Sequence, residues 1–237
     1  EPTANKLFTK LLNKVTDDLN PNHQKVFSNA VIYNKKLSES LSAGKTSLST
    51  SIDAGSPETF KIVRGHNHLH RVLSNIKRYL NEGAKDITIK YIFTDQNSEL
   101  IESQLFCKLI SKYKIFDCSF QISSDFKNDM LSENTAISSI YMYLKLREKT
   151  KHVFFDDHLK PKINKFAFSF PDIIKTNFSS EIANPEKFAK VIIWGAGQYS
   201  LRMIETSMFF NKVVVEHFVD NDREKIGKHF IGKIIRD

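Results

Sequence analysis

Residues 51–65 read SIDAGSPETFKIVRG, and this stretch indicates the fold of the first part of the chain. Its first residues complete the β-rich run Thr46–Ile52, and the polar, glycine-containing turn that follows is typical of a strand end. Ser56, Pro57 and Glu58 then have the pattern of a helix start, with a capping hydroxyl, a proline in the first turn and an early acid. A strand that passes through a polar turn into a helix is one βα unit.

The same alternation of strand and helix continues on both sides of this stretch. Apolar positions at helical spacing predict helices over Thr3–Leu19, Lys35–Leu41, Asn67–Leu80, Leu100–Tyr113 and Thr135–Arg147. β-rich runs predict strands at Lys25–Ile32, Thr46–Ile52, Ile87–Phe93 and Cys118–Ile122. Because ligands bind at the carboxyl ends of parallel strands, the polar cluster after each strand is a candidate site. We therefore predict an α/β fold with a partial (β/α) barrel of parallel strands over residues 1–152.

A second domain start is predicted near the C-terminus. Residues 153–189 lose the alternation and contain three prolines, so we interpret them as a linker region. Residues 190–237 then carry a strand at Val191–Trp194, a helix at Ser200–Phe209 and a strand at Val213–Val219. This order predicts the first βαβ unit of a Rossmann-like domain.

The turn of this second unit reads Gly195-Ala196-Gly197, and Asp220 ends its second strand. Glycines at such a turn let the backbone approach a pyrophosphate, and an acid after the second strand is placed to meet a ribose hydroxyl. We therefore predict Gly195, Gly197 and Asp220 as nucleotide-binding residues, with a nucleotide or NAD(P) as the cofactor of this domain. Ser200 stands where the third glycine of the motif belongs. The alternative to nucleotide binding is that this turn has a purely structural role.

Composition excludes several classes of protein. The 237 residues include only two cysteines, which is too few for a disulfide framework or a cysteine-only metal site. No run of about 18 apolar residues and no secretory pattern is visible, so we expect a cytoplasmic protein without a membrane partner. The formal net charge is +8, but the lysines are scattered among acids, and we expect no nucleic-acid partner.

Several segments of the barrel-like half, taken in order, resemble radical S-adenosylmethionine (SAM) enzymes. Glu1-Pro2 is similar to the end of the family's Gly-Gly-Glu-Pro turn, and Ser28-Asn29-Ala30 is similar to its third-strand Thr-Asn-Gly segment. Residues 51–53 match the fourth-strand position that faces the ribose of SAM, and residues 94–97 resemble the end of the fifth strand. The resemblance implies that SAM is bound by Glu1, Ser51, Asp53, Arg64 and Asn97, with Arg64 near the SAM carboxylate. We expect the strand ends to converge on one adenosine-sized cavity.

The resemblance also implies a reaction. Members of the family reductively cleave SAM at a 4Fe-4S cluster, and the resulting 5′-deoxyadenosyl radical abstracts hydrogen from a small-molecule substrate. By analogy with the C-terminal domain, we expect the substrate of this protein to be linked to a sugar or a nucleotide. Flavodoxin or ferredoxin is the expected reductant. The family holds its cluster with a CxxxCxxC loop, which this sequence lacks, so we expect this chain to be inactive alone. Two alternatives are a nucleotide-sugar modifying protein active through its C-terminal domain and a non-catalytic scaffold.

No catalytic residue and no metal ligand is assigned from the sequence. His66, His68 and His70 alternate, and Asp156-Asp157-His158 could join them. On a helix, however, His66 and His70 would face one way and His68 another, so three ligands would not converge. We expect helix-surface histidines instead.

Overall fold

The computed structural model describes residues 2–19, 21–125, 130–150, 152–178, 190–198, 200–201, 204 and 214–236. The chain divides into two compact units, Glu1–Ile163 and Asn164–Asp237. Each unit has its own sheet.

The first unit is built on a five-stranded parallel sheet. Its strands lie in chain order, and each neighbouring pair is parallel. They are β1 (Gln24–Phe27), β2 (Thr46–Ser51), β3 (Ile87–Phe93), β4 (Ser119–Ser124) and β5 (Val153–Phe155). The predicted α/β fold, a partial β/α barrel, is confirmed. The sequence prediction missed β5, which lies in the region interpreted as a linker.

One helix precedes the first strand, and the others lie between successive strands. They are α1 (Phe8–Lys14), α2 (Lys35–Ser42), α3 (Pro57–Arg64), α4 (Leu69–Asn81), α5 (Leu100–Tyr113) and α6 (Glu133–Arg147), with a 3₁₀ turn at Pro2–Ala4 and a π-helical turn at Val15–Leu19. The predicted start of α3 is confirmed, because the Ser56 hydroxyl accepts a hydrogen bond from the Thr59 N–H at 3.2 Å. The longest described helix has 15 residues, and none of the described helices is long and apolar enough to cross a bilayer.

The two faces of the five-stranded sheet differ in chemistry. Tyr91 of β3 packs against Phe106 of α5 with ring centroids 5.0 Å apart, and Phe106 also meets Phe120 of β4. Side chains alternate along a strand, so the neighbours of Tyr91 and Phe120 point away from these helices. We call this second side the open face. Its side chains are Lys25 and Phe27 (β1), Ser47, Ser49 and Ser51 (β2), Thr88, Lys90 and Ile92 (β3), Ser119, Gln121 and Ser123 (β4) and Phe154 (β5).

The predicted linker region holds regular structure besides β5. Helices α7 (Leu159–Ser169) and α8 (Pro171–Phe178) occupy much of it. The proline that opens α8 stands at its first turn, where its missing N–H costs nothing.

The second unit contains a four-stranded sheet. Its strands are β6 (Lys190–Trp194), β7 (Val214–Val219), β8 (His229–Phe230) and β9 (Lys233–Arg236), in the order β6-β7-β9-β8. The β6–β7 and β7–β9 pairs are parallel, and β8 and β9 form an antiparallel hairpin. A small core of Ile193, Ala196, Phe218 and Ile235 packs one face. The predicted strands are confirmed, whereas the Rossmann-like assignment stays a prediction, and the predicted end of the helix at Phe209 lies outside the described residues.

Candidate functional site

Asp53 links three elements at the carboxyl end of the first sheet. It follows β2 with a left-handed backbone (φ 56°), and its side chain is almost fully buried. One carboxylate oxygen accepts a hydrogen bond from the Ile92 N–H at 2.7 Å, and the other lies 2.7 Å from Nη2 of Arg64 in α3. Burial raises the pKa of Asp53 to about 6, although the Arg64 guanidinium opposes this shift. Asp53 and Arg64, each predicted as a SAM contact, therefore lie together in one ion pair.

Asn97 joins the ends of the same two strands. Its Nδ2 donates to the carbonyl oxygens of Asp53 at 2.8 Å and Ile92 at 2.9 Å. Its Oδ1 accepts from the backbone N–H of Thr94 at 2.6 Å and from the Thr94 hydroxyl. These four bonds use the full capacity of a completely buried amide. Asn97 thus lies beside Asp53 as expected, but its side chain has no group left for a cofactor and acts as a cross-strand staple.

The loop between β2 and α3 is also held from outside, by a residue that sequence reasoning missed. Glu102, in the first turn of α5, is buried, and one of its carboxylate oxygens accepts from the N–H groups of Gly55 (2.7 Å) and Ser56 (3.1 Å). The other oxygen accepts from the Ser56 hydroxyl at 2.8 Å. An acid in the first turn of a helix is ordinary, because it complements the helix dipole, so no signal in the sequence marked Glu102.

Gly55 lets this loop lie directly against α5. A Cβ added at Gly55 would stand 2.1 Å from the Glu102 carbonyl oxygen and 2.6 Å from the Phe106 nitrogen. No real side chain fits at such distances. The loop that carries Asp53 is therefore fixed by backbone contact as well as by the Glu102 carboxylate.

A row of polar side chains crosses the open face beside this loop. Ser51, Lys90 and Gln121 are in register on β2, β3 and β4, and each is half-buried. Residues in register on neighbouring strands lie side by side on one face. Ser51, predicted from the sequence, therefore has Lys90 as its neighbour at the carboxyl half of the sheet.

The loop after β1 is held by hydrogen bonds from its own residues and from α4. Ala30 has a left-handed backbone (φ 54°), and glycine occupies the matching position of the family's segment. The Ser28 hydroxyl accepts from the Ala30 N–H at 3.0 Å, and Asn75 of α4 donates to the carbonyl oxygens of Ala30 and Val31 at 2.9 Å. Glu1, the remaining predicted SAM contact, lies outside the described residues.

The residues of this chain do not fit a 4Fe-4S cluster. Cys107 lies half-buried on α5, and Cys118 is buried just before β4, at the opposite end of the strand from the loops described above. Burial raises the pKa of both thiols to about 12, which disfavours the thiolates that iron requires. Within the described ranges, no three His, Cys, Asp or Glu side chains are placed to hold a metal ion.

The histidines predicted on a helix surface are placed differently. His66 and His68 precede α4, and their rings lie 5.0 Å apart. His70 lies on α4 and forms a 3.0 Å hydrogen bond with the Tyr113 hydroxyl. The expected divergence of His68 from His66 is therefore wrong, because the helix begins only at Leu69.

Two cavities border the ends of β3 and β4. One of about 40 Å³ lies at the carboxyl ends, between Asp95, Asp125 and Lys162, and has room for little more than a water molecule. The other, of about 610 Å³, lies at the amino ends, near Asp86 and His152. Neither is the adenosine-sized cavity expected beside Ser51, which instead lies on the open face.

In the second unit, Asp220 binds the glycine turn itself. Its carboxylate accepts from the N–H groups of Ala196 at 2.8 Å and Asp222 at 2.9 Å, and Lys225 lies 3.2 Å away. The two backbone N–H groups hold the pKa of Asp220 down at about 2. Gly195 has a positive φ of 96°, whereas a Cβ at Gly197 would meet no atom within 4 Å. The three predicted residues are thus brought together, and their binding of a nucleotide stays a prediction.

Comparison with known proteins identifies a similar fold. No protein-family model matches the sequence, and no curated protein is significantly similar to it. The structure of SuiB from Streptococcus suis bound to S-adenosylmethionine matches with a TM-score of 0.51 and 18% identity, over 70% of this chain and 38% of SuiB. The chain resembles SuiB in fold. A second SuiB structure gives a TM-score of 0.50 and 17% identity, over 73% of this chain and 40% of SuiB.

The chain therefore spans about two fifths of the length of SuiB. A radical SAM methyltransferase from Sphaerobacter thermophilus also matches, over 69% of this chain and 50% of that one, with 11% identity. Its TM-score of 0.44 is too low to establish a shared fold. At these identities the similarity to SuiB concerns the fold alone.

Proposed function

We propose that the first unit binds SAM at the carboxyl end of its open face, as part of a radical SAM enzyme. The observation that carries the proposal is the in-register row of Ser51, Lys90 and Gln121 beside the fixed loop that holds Asp53. A sheet face that served only as a core would be apolar. The ordered sequence resemblance and the fold of SuiB, which was determined with SAM bound, support the same conclusion.

Arg64 and Ser51 are the proposed contacts to SAM. Arg64 is 30% exposed, and its guanidinium is oriented by Asp53 through Nη2. Its Nε–H is buried and has no partner among the described residues, and a carboxylate would satisfy such a donor. The Ser51 hydroxyl can hydrogen-bond a ribose hydroxyl from the open face. Asp53, Asn97 and Glu102 position the loop without touching the cofactor.

The radical chemistry itself needs more than these residues supply. Reductive cleavage of SAM requires a cluster held by three thiolates, and this sequence has two cysteines. We therefore propose that the chain alone binds SAM without cleaving it, and that cleavage, with flavodoxin or ferredoxin as reductant in a cytoplasmic setting, needs a cluster from elsewhere.

Binding of SAM to the 237-residue chain tests the proposal directly. Isothermal titration calorimetry of the wild-type chain should detect SAM, and Arg64→Gln should weaken binding about tenfold or more because a charge-assisted contact is lost. Glu39→Gln, at an exposed residue of α2, is the matched control and should bind as wild type. Failure of the wild-type chain to bind SAM, or equal affinity of Arg64→Gln, would contradict the proposed site.

A further inference from the structure

Two lysines flank an exposed aromatic ring on the open face, and one of them, Lys90, is the neighbour of Ser51 on the adjacent strand. Phe27 of β1 is 59% exposed. The Lys25 ammonium lies 5.4 Å from its ring centroid, and the Lys90 ammonium, which comes from β3, lies 5.7 Å from it. The two charges thus approach one ring from different strands.

No described carboxylate forms an ion pair with either lysine. Asp53 is near enough to Lys90 to be stabilised by its charge, but the Asp53 carboxylate is already paired with Arg64. Among the strand residues assigned above to the open face, none is acidic, and Lys25 and Lys90 are the only charged ones. The positive charge of the open face therefore complements an anionic ligand.

A buried hydroxyl lies next to the same ring. Ser49 is in register with Phe27 on the neighbouring strand, and its hydroxyl is buried without a hydrogen-bond partner among the described residues. Buried hydroxyls are rarely left unpaired. A ligand oxygen over the ring is one partner that this hydroxyl could take.

We propose that Lys25, Phe27, Ser49 and Lys90 form the substrate subsite and that the substrate is a nucleoside phosphate. Its base would stack on Phe27, as nucleobases do on exposed aromatic residues. Its phosphate groups would bind between the two ammonium groups, because lysine binds phosphate as a point charge. Two ammonium groups that have no ion-pair partner in the described part of the chain suit a diphosphate better than they suit a single carboxylate. This inference rests on the proposed function, since it names the substrate class of that site.

Calorimetry with the full chain separates the roles of ring and charges. The probes are ADP, UDP, adenosine, inorganic pyrophosphate and SAM, each at low and moderate salt. Lys90→Gln should weaken the binding of ADP and UDP at least tenfold and reduce the salt dependence of that binding, because one phosphate contact is lost. Phe27→Ala should weaken the binding of ADP but leave the binding of pyrophosphate unchanged. Lys108→Gln, at an exposed lysine of α5, is the control and should change nothing.

Each contrary outcome identifies which part of the proposal is wrong. If SAM binds the wild-type chain and no nucleotide does, the subsite is refuted while the proposed function stands; the reverse result refutes the proposed function. If Lys90→Gln weakens the binding of SAM and leaves the affinity for ADP unchanged, the lysines belong to the cofactor site and the inference fails. If Phe27→Ala binds ADP as tightly as wild type, stacking is refuted. Phe27 is exposed on an edge strand, and circular dichroism of each variant verifies its fold.

Discussion

Replacing Gly55 by alanine should disrupt the carboxyl end of the first sheet. The added methyl group would lie 2.1 Å from the Glu102 carbonyl oxygen, where an ordinary contact needs more than 3 Å. Either the loop or α5 must therefore move by about 1 Å. The atoms that it meets first are backbone, so no flexible side chain can make room.

The cost follows from two contributions. Overpacking of a tight contact costs about 1–3 kcal/mol. The movement also stretches the three hydrogen bonds from Gly55 and Ser56 to the Glu102 carboxylate, and a bond to a charged group contributes about 1.5–3 kcal/mol. We expect Gly55→Ala to lower the free energy of unfolding by about 4 kcal/mol or more, a large share of the 5–15 kcal/mol typical of a domain.

Urea unfolding followed by far-ultraviolet circular dichroism measures this effect. The matched control is Gly65→Ala, at the C-cap of α3, where a Cβ would meet nothing within 4 Å and only the positive φ of 77° is unfavourable. That variant should lose about 1 kcal/mol. If Gly55→Ala lost no more than Gly65→Ala, the contact between loop and helix would not determine the position of this loop.

Four further predictions concern the groups that hold the two loops. Since burial raises the pKa of Asp53 from 3.8 to about 6, the folded state keeps this proton to higher pH than the unfolded state. Its contribution to the free energy of unfolding should therefore fall by about 3 kcal/mol as pH rises from about 4 to 6, and urea unfolding of Asp53→Asn should lack this slope. Glu102→Gln should destabilise by about 2–4 kcal/mol in the same assay, because the charge that strengthens the three hydrogen bonds to its carboxylate is lost; a loss under 1 kcal/mol would contradict the Glu102 contacts. Asn97→Ala leaves two carbonyls and one N–H of the strand ends unpaired, and amide hydrogen exchange at residues 92–97 should accelerate at least tenfold; unchanged protection would argue against the staple. The pKa of Asp220 is lowered to about 2, so the stability that its carboxylate adds to the second unit should be present above about pH 4 and be lost as pH falls towards 2. Protection of the Ala196 amide against hydrogen exchange should fall over the same range, and protection that did not change with pH would contradict this prediction.

The strands and helices of the first unit were predictable because their signals are local. Ile87 to Phe93 alternate between buried and half-buried side chains, and α3 begins at the serine and proline that predicted it. β5 was missed because it has three residues and precedes a proline-containing stretch, so too little pattern was available to predict a strand.

The contacts among the predicted site residues could not be predicted from the sequence, and their binding of SAM stays a prediction. Asp53 and Arg64 were predicted as separate SAM contacts, and in the structure they form an ion pair because both flank one βα unit. The role of Asn97 depends on carbonyl groups of two different strands, and that of Glu102 on a loop 46 residues earlier in the chain. Such contacts leave no periodic trace in the sequence, so the sequence alone could not distinguish a cofactor contact from an internal staple. The open face was not predicted either, because its polarity becomes meaningful only when the strand register is known.

The long-range anchoring of these loops has a consequence for synthesis of the chain. The loop after β1 is held by Asn75 of α4, and the loop after β2 is held by Glu102 of α5, so each is secured by a helix that leaves the ribosome well after the loop itself. A nascent chain that ends before Glu102 has its first three strands but lacks the carboxylate that orders the loop after β2. The ligand-facing edge should therefore mature stepwise during translation, each loop becoming protease-resistant only when its later helix has docked.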